Sequence, residues 1–163
     1  MDSAPRETVV TPPRIDVWRT TSWTRRPRTD VWLAVTGLIG GLLALPLAQS
    51  TWHGPEVAAV LTVSATALFA GQRWAIALIV IADLFLLPTV WPRAFLDGDL
   101  ASRSIALVTL AAIVPGVLAM RRAATVLVMM TGQRRTQPMC RRVHTGLIVI
   151  GLIAVLIPLV PLF

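Results

Sequence analysis

Five long apolar runs divide this chain and constrain its fold more than any other feature. They lie at residues 31–50, 55–71, 74–91, 104–120 and 145–163. A helix needs about 20 mostly apolar residues to cross the ~30 Å hydrocarbon layer of a bilayer. Helices are the expected form because lipid offers no hydrogen-bond partner to free backbone groups. The sequence therefore predicts an all-α, polytopic integral membrane protein with five transmembrane helices.

The basic residues predict how these helices are oriented. All 15 are arginine. Six precede the first run (Arg6, Arg14, Arg19, Arg25, Arg26 and Arg28), and six lie between the fourth and fifth runs (Arg121, Arg122, Arg134, Arg135, Arg141 and Arg142). Because cytoplasmic segments carry an excess of basic residues, the N-terminus is predicted inside and the C-terminus outside. The complete absence of lysine favours a bacterial source, and so we expect the inner (plasma) membrane.

The second run is the shortest, and its apolar part could instead form a re-entrant or interfacial segment. The charge pattern decides between the two models. With only four spans, the six arginines of residues 121–144 would move outside, against the positive-inside rule. We therefore predict that residues 55–71 span the membrane and that Gly71-Gln72-Arg73 forms a tight cytoplasmic turn.

Two polar segments are predicted to face the cytoplasm. Residues 1–30 are rich in proline and form a basic, partly disordered arm. We expect the first run to be retained rather than cleaved as a signal peptide, because it is longer than an ordinary h-region. Residues 121–144 form a basic loop. The candidate contacts with anionic lipid or a partner subunit are Trp18, Trp23, Arg25, Arg26, Arg121, Arg122, Arg134, Arg135, Arg141 and Arg142. The alternative is a solvated arm that only sets topology.

Small residues predict where the helices pack. Gly37 and Gly41 form a GxxxG pair in the first run, and Ala44 continues the four-residue spacing. In the second run Ala58, Thr62 and Thr66 have the same spacing. Small side chains let helix backbones approach closely, which is a main source of helix association in lipid. The pattern indicates packing without saying whether the partner helix belongs to this chain.

Asp83 is the one acidic residue in the interior of a run, and counting along the third run places it near the membrane midplane. A carboxylate there costs at least ~2.5–3.5 kcal/mol, so Asp83 should face protein or water, or carry a proton. Thr62 and Thr109 are the predicted polar neighbours. Three interpretations remain open: a neutral or hydrogen-bonded packing residue, a proton or cation site, and a pair with a basic group of a partner subunit.

Other chemistry has weak support in the sequence. Asp97-Gly98-Asp99 resembles the metal-binding pattern of glycosyl-transfer enzymes, but a solvated turn explains it as well. Cys140 is the only cysteine and is interpreted as a spectator thiol. We find no phosphate-binding glycine loop, catalytic triad or metal-spaced cluster, and therefore expect no cofactor and no metal. We expect no nucleic-acid partner, because no soluble domain remains to bind it.

These observations favour a non-catalytic small or accessory subunit of a larger bacterial membrane complex. It would act through transmembrane helix packing and basic cytoplasmic contacts, with other membrane subunits and anionic lipids as partners. The alternative is a transporter or channel component that uses Asp83 as an intramembrane proton or cation site. A membrane-bound transferase comes third.

Overall fold

The computed structural model describes residues 28–48, 54–96, 98–132 and 137–162, and no strand occurs among them. The helices are α1 (Arg28–Ala48), α2 (Gly54–Phe69), α3 (Ala75–Leu96), α4 (Leu100–Leu118), α5 (Met120–Met130) and α6 (Gln137–Leu156), followed by a 3₁₀ helix (Ile157–Leu162). The all-α prediction is therefore confirmed for the described part of the chain.

Four helical segments are long and apolar enough to cross a membrane: Arg28–Leu47, Ala75–Leu96, Leu100–Leu118 and Gln137–Leu159. They indicate a multi-pass membrane protein. Helix α2 is apolar but has only 16 residues. At 1.5 Å per residue it is ~24 Å long, shorter than the ~30 Å hydrocarbon layer. By length and composition, α2 is therefore a shorter apolar helix beside the four candidate spans.

Helix α3 is the centre of the bundle, since it contacts each of the other described helices. Within the apolar window of α3, 61% is buried inside the protein, against 17% for α6. Helix α6 contacts only α3, α5 and the 3₁₀ helix among the described elements. It is therefore the peripheral long helix.

Contacts between polar groups fix which helix ends lie together. Arg122 of α5 forms a 2.9 Å ion pair with Asp30 in the first turn of α1. At the other end, Arg93 of α3 donates to the Leu47 carbonyl near the end of α1. Trp91 Nε1 donates to the Val155 carbonyl of α6 at 3.1 Å. The C-terminal ends of α1, α3 and α6 therefore share one end of the bundle, and α5 lies at the opposite end.

Glycine ends two of these helices. Gly71 has φ 90° and Gly132 has φ 68°, a region where an L side chain is strained. Gln72 N–H donates to the Ala67 carbonyl and Gly71 N–H to the Leu68 carbonyl. This is the Schellman arrangement, which satisfies the last carbonyls of α2. The chain then reverses within residues 70–74 to begin α3.

Helix boundaries differ from the apolar runs because polar residues also take helical conformations. Helix α4 begins at Leu100 rather than at residue 104, because Asp99 Oδ2 accepts a 2.9 Å hydrogen bond from Ser102 N–H and caps the helix. The segment 121–144, expected as a loop, contains most of α5 and the first two turns of α6.

Candidate functional site

Asp83 occupies the interior of the bundle, where α3 meets α4. Its side chain is only 1% exposed. The carboxyl lies directly on Gly116 of α4: a Cβ built on this glycine would be 2.8 Å from Asp83 Cγ and would overlap Oδ2. The contact exists only because residue 116 has no side chain. Gly116 follows Pro115 in the last turn of α4.

No hydrogen bond reaches Asp83 Oδ1 from Thr62 or Thr109, the polar neighbours predicted from the sequence. Thr62 Oγ1 donates to the Ala58 carbonyl at 2.9 Å, and Thr109 Oγ1 donates to the Ile105 carbonyl at 2.8 Å. Each hydroxyl proton is therefore used within its own helix. Asp83 Oδ1 is buried and has no hydrogen-bond partner among the described residues. The Asp83 carboxyl is therefore kept from solvent by the packing of α3 against α4.

The predicted small residues of α1 lie against α2 and α4. A Cβ on Gly37 would be 3.4 Å from Ala65 Cβ, and one on Gly41 would be 3.1 Å from the Ala58 carbonyl oxygen and would overlap the Thr62 hydroxyl. Gly40 faces Ala112 of α4 in the same way, at 3.4 Å. Helices α1 and α2 are therefore antiparallel neighbours that pack closely at Gly37 and Gly41.

Of the other predicted packing residues, Ala44 and Ala58 are completely buried. Thr66 is exposed, and its hydroxyl donates to the Val63 carbonyl at 2.8 Å. Thr66 lies outside the contact because a four-residue step turns about 40° on a helix, so two steps from Ala58 rotate it about 80° away. The buried face of α2 continues through Leu61, Ala65 and Leu68 instead.

A basic groove lies between α5 and the start of α6. Its volume is about 1170 Å³, and it is lined by Arg121, Thr125, Gln137, Pro138, Cys140, Arg141, Arg142, His144 and Thr145. We call this the α5–α6 groove. None of the described residues that line it is acidic. The groove brings Arg121 of α5 together with Arg141 and Arg142 of α6, although the undescribed residues 133–136 lie between them in the sequence.

The amphipathic pattern of α5 explains how the groove forms. Met120, Ala123, Ala124 and Val128 are its buried residues. They hold α5 against α3 and α6. Arg121 and Thr125, four residues apart, share a different face and line the groove. Arg122, one position further, instead reaches Asp30 of α1.

Two features of these sites were not predicted from the sequence: the contact between Asp83 and Gly116, and the groove between α5 and α6. Pro115-Gly116 suggests a helix irregularity, but nothing in the sequence pairs Gly116 with Asp83. The apolar spacing of residues 120, 123, 124 and 128 does predict a helix with Arg121 on its polar side. The predicted contacts Trp18, Trp23, Arg25, Arg26, Arg134 and Arg135 lie outside the described residues.

Among the residues that the structure describes, no group of three or more His, Cys, Asp or Glu side chains is placed to hold a metal ion. Asp99 of the Asp-x-Asp pattern serves as the cap of α4, and Asp97 is outside the described part. Comparisons with protein-family models, with curated proteins and with solved structures found no match to this chain.

Proposed function

We propose that this chain is a non-catalytic accessory subunit of a larger bacterial inner-membrane complex. It crosses the membrane five times, with the N-terminus inside and the C-terminus outside. It acts through packing of its transmembrane helices against a partner and through basic contacts on the cytoplasmic side.

The antiparallel packing of α1 and α2 supports a fifth span. Gly37 lies beside Ala65, while Gly41, one turn further along α1, lies beside Ala58, which is earlier in α2. Helix α2 thus follows α1 back along its length. The contact between Arg93 and Leu47 agrees with this path. Because α1 and α3 end at the same end of the bundle, α2 has to return the chain to the end where both begin. The shortfall of α2 against a ~30 Å layer is small enough for local thinning of the bilayer.

The distribution of arginine supports the orientation. Arg121, Arg141 and Arg142 lie around the α5–α6 groove, at the bundle end where Arg122 meets the start of α1. Under the positive-inside rule this end is cytoplasmic. The opposite end carries Arg93, whose guanidinium donates to a backbone carbonyl.

The observation that carries the proposal is the peripheral position of α6. Its buried residues, Leu147, Gly151 and Ala154, form one narrow face. The opposite face presents Leu152, Ile153 and Leu156, which are 59%, 49% and 49% exposed. A helix held on one side only has room for a partner helix on the other, and packing then supplies the association energy.

Photo-crosslinking from the outer face of α6 tests the proposal. A photoreactive residue at Leu152, in the intact membrane, should give a discrete adduct with another membrane protein. The matched control is Val63, an apolar residue of α2 that is 63% exposed. If Leu152 forms only lipid adducts, or protein adducts no more frequent than those from Val63, α6 is not the partner surface.

Asp83 favours a second candidate, a proton or cation site in a transport component. The specific observation is its buried Oδ1 without a described partner, since unpaired polar atoms in a membrane interior are costly. In this function Asp83→Asn abolishes flux or a pH-dependent signal while the protein still accumulates in the membrane. Flux unchanged by that substitution would remove this candidate, and Thr109→Val is the matched control for a buried polar change on α4.

A further inference from the structure

We infer that the α5–α6 groove binds the phosphate headgroup of an anionic phospholipid from the cytoplasmic leaflet, with the acyl chains lying along α6. This inference rests on the proposed membrane topology but does not require a partner protein. It assigns a ligand to a site formed by the described arginines of α5 and of the first turns of α6.

The cations of the groove are not neutralised by acidic side chains within the described residues. Arg121, Arg141 and Arg142 are exposed and line the groove, and none of them forms an ion pair with a described carboxylate. Arg122 differs, because it is paired with Asp30 at 2.9 Å. Guanidinium groups bind phosphate oxygens in bidentate fashion, which makes uncompensated arginines suited to a phosphate ligand.

The backbone at the start of α6 adds to this preference. Gln137 and Pro138 line the groove and belong to the first turn of a 20-residue helix. That turn contains no acidic side chain, although acidic residues are the usual complement of a helix N-terminus. The partial positive charge of the helix end and the arginine charges therefore act in the same direction.

Two hydroxyls beside the arginines are satisfied internally, whereas His144 Nδ1 is buried without a hydrogen-bond partner among the described residues. Thr125 Oγ1 donates to the Arg121 carbonyl at 3.1 Å, and Thr145 Oγ1 donates to the Arg141 carbonyl at 2.9 Å. The guanidinium groups of Arg121, Arg141 and Arg142 are the permanently charged donors that line the groove. A zwitterionic headgroup would bring its own cation into this groove, so the charge pattern selects lipids with net negative charge.

Continuity with an apolar surface distinguishes a lipid from a soluble phosphate. The groove residues Arg142, His144 and Thr145 lead directly into the exposed Ile148 and Val149 of α6. The helical segment Gln137–Leu159 is apolar enough to span a membrane and only 17% buried by the protein. A headgroup held in the groove therefore has open apolar helix surface beneath it for its chains, around Ile148 and Val149, on the groove side of the proposed partner contact at Leu152.

Lipid titration of the full-length chain, purified alone in a neutral detergent, tests the inference. Bound lipid is counted by native mass spectrometry for phosphatidylglycerol and for phosphatidylcholine with the same acyl chains. Inorganic phosphate is a third ligand. The test variant replaces Arg121, Arg141 and Arg142 by Gln. The control variant replaces three exposed arginines elsewhere, Arg28, Arg73 and Arg103, by Gln, so the loss of net charge is equal.

We expect saturable binding of phosphatidylglycerol that is weakened about 100-fold in the groove variant, from a contribution of about fivefold per arginine. The control variant should remain within about twofold of the unaltered chain, and phosphatidylcholine should bind weakly to all three proteins. Rising salt should also weaken phosphatidylglycerol binding to the unaltered chain. This measurement does not use the groove variant, so it still tests the inference if that variant does not fold.

Equal binding by the groove and control variants would overturn the inference, as would salt-independent binding. Inorganic phosphate that competes fully with the lipid would refute the role of the α6 face. Because a single chain suffices, these results are independent of the Leu152 crosslinking. Lipid binding in the groove together with no protein adduct from Leu152 would contradict only the proposed subunit function.

Discussion

Gly116→Ala is the most informative substitution in this fold, because it places one methyl group against Asp83. The new Cβ would lie 2.8 Å from Asp83 Cγ and 3.4 Å from Asp83 Cβ. Carbon atoms in ordinary contact are about 3.5–4.0 Å apart, so the first distance is about 1 Å too short. Either α3 and α4 separate or the carboxyl turns into a less favourable rotamer.

The expected cost follows from this overlap. Overpacking a well-packed interior costs about 1–3 kcal/mol. The helix propensity of Ala over Gly offsets at most about 1 kcal/mol. We therefore expect a net loss of about 1–2 kcal/mol in the free energy of unfolding. In an Asp83→Ala background the overlapping Cγ and Oδ2 are gone, and the same substitution should cost little.

A double-mutant cycle measures this coupling. Unfolding free energies of the full-length chain would be determined in mixed micelles for Gly116→Ala, Asp83→Ala and the double variant. Gly146→Ala is the matched control, since Gly146 is helical in α6 and a Cβ there would meet nothing within 4 Å. A Gly116→Ala cost equal to that of Gly146→Ala, or one unchanged without Asp83, would refute the contact described between α3 and α4.

Three further outcomes follow from the structure. Gly41→Ala should destabilise the chain by about 1–3 kcal/mol in the same unfolding assay, because its Cβ would overlap the Thr62 hydroxyl; a neutral result would contradict the close α1–α2 packing. Arg122→Gln should cost at most about 1 kcal/mol, and the cost should shrink as salt rises, because its ion pair with Asp30 is half exposed. Cys140, the only cysteine, should react with a membrane-impermeant maleimide in inside-out vesicles and not in right-side-out vesicles; the reverse would overturn the orientation.

The sequence predicted the long helices well because the hydrophobic run is a strong, local signal. It was less informative about where helices begin. Asp99 starts α4 by capping it, and Gln137 starts α6 within a polar stretch that the apolar count excluded. Hydropathy reports contact with lipid, whereas a helix continues wherever its backbone hydrogen bonds are satisfied.

The interior contacts were harder to predict because they depend on tertiary packing. The glycine spacing of α1 was visible in the sequence, and Gly37 and Gly41 do lie against α2. The neighbour of Asp83 was not visible, since depth counting suggested Thr62 while the rotation of α3 turns the carboxyl onto Gly116. Depth alone does not specify which side of a helix a residue occupies.

The composition of the assembly in its native lipid tests the central claim most directly. The chain, 17.7 kDa in mass, would be extracted with its surrounding bilayer by an amphipathic copolymer, and the intact particles weighed and sequenced by mass spectrometry. We predict a particle that contains a second membrane protein at a fixed ratio to this chain, with the amount of that protein reduced by a bulky substitution at Leu152. A particle that contains this chain alone, in every lipid and extraction condition, would contradict its role as an accessory subunit.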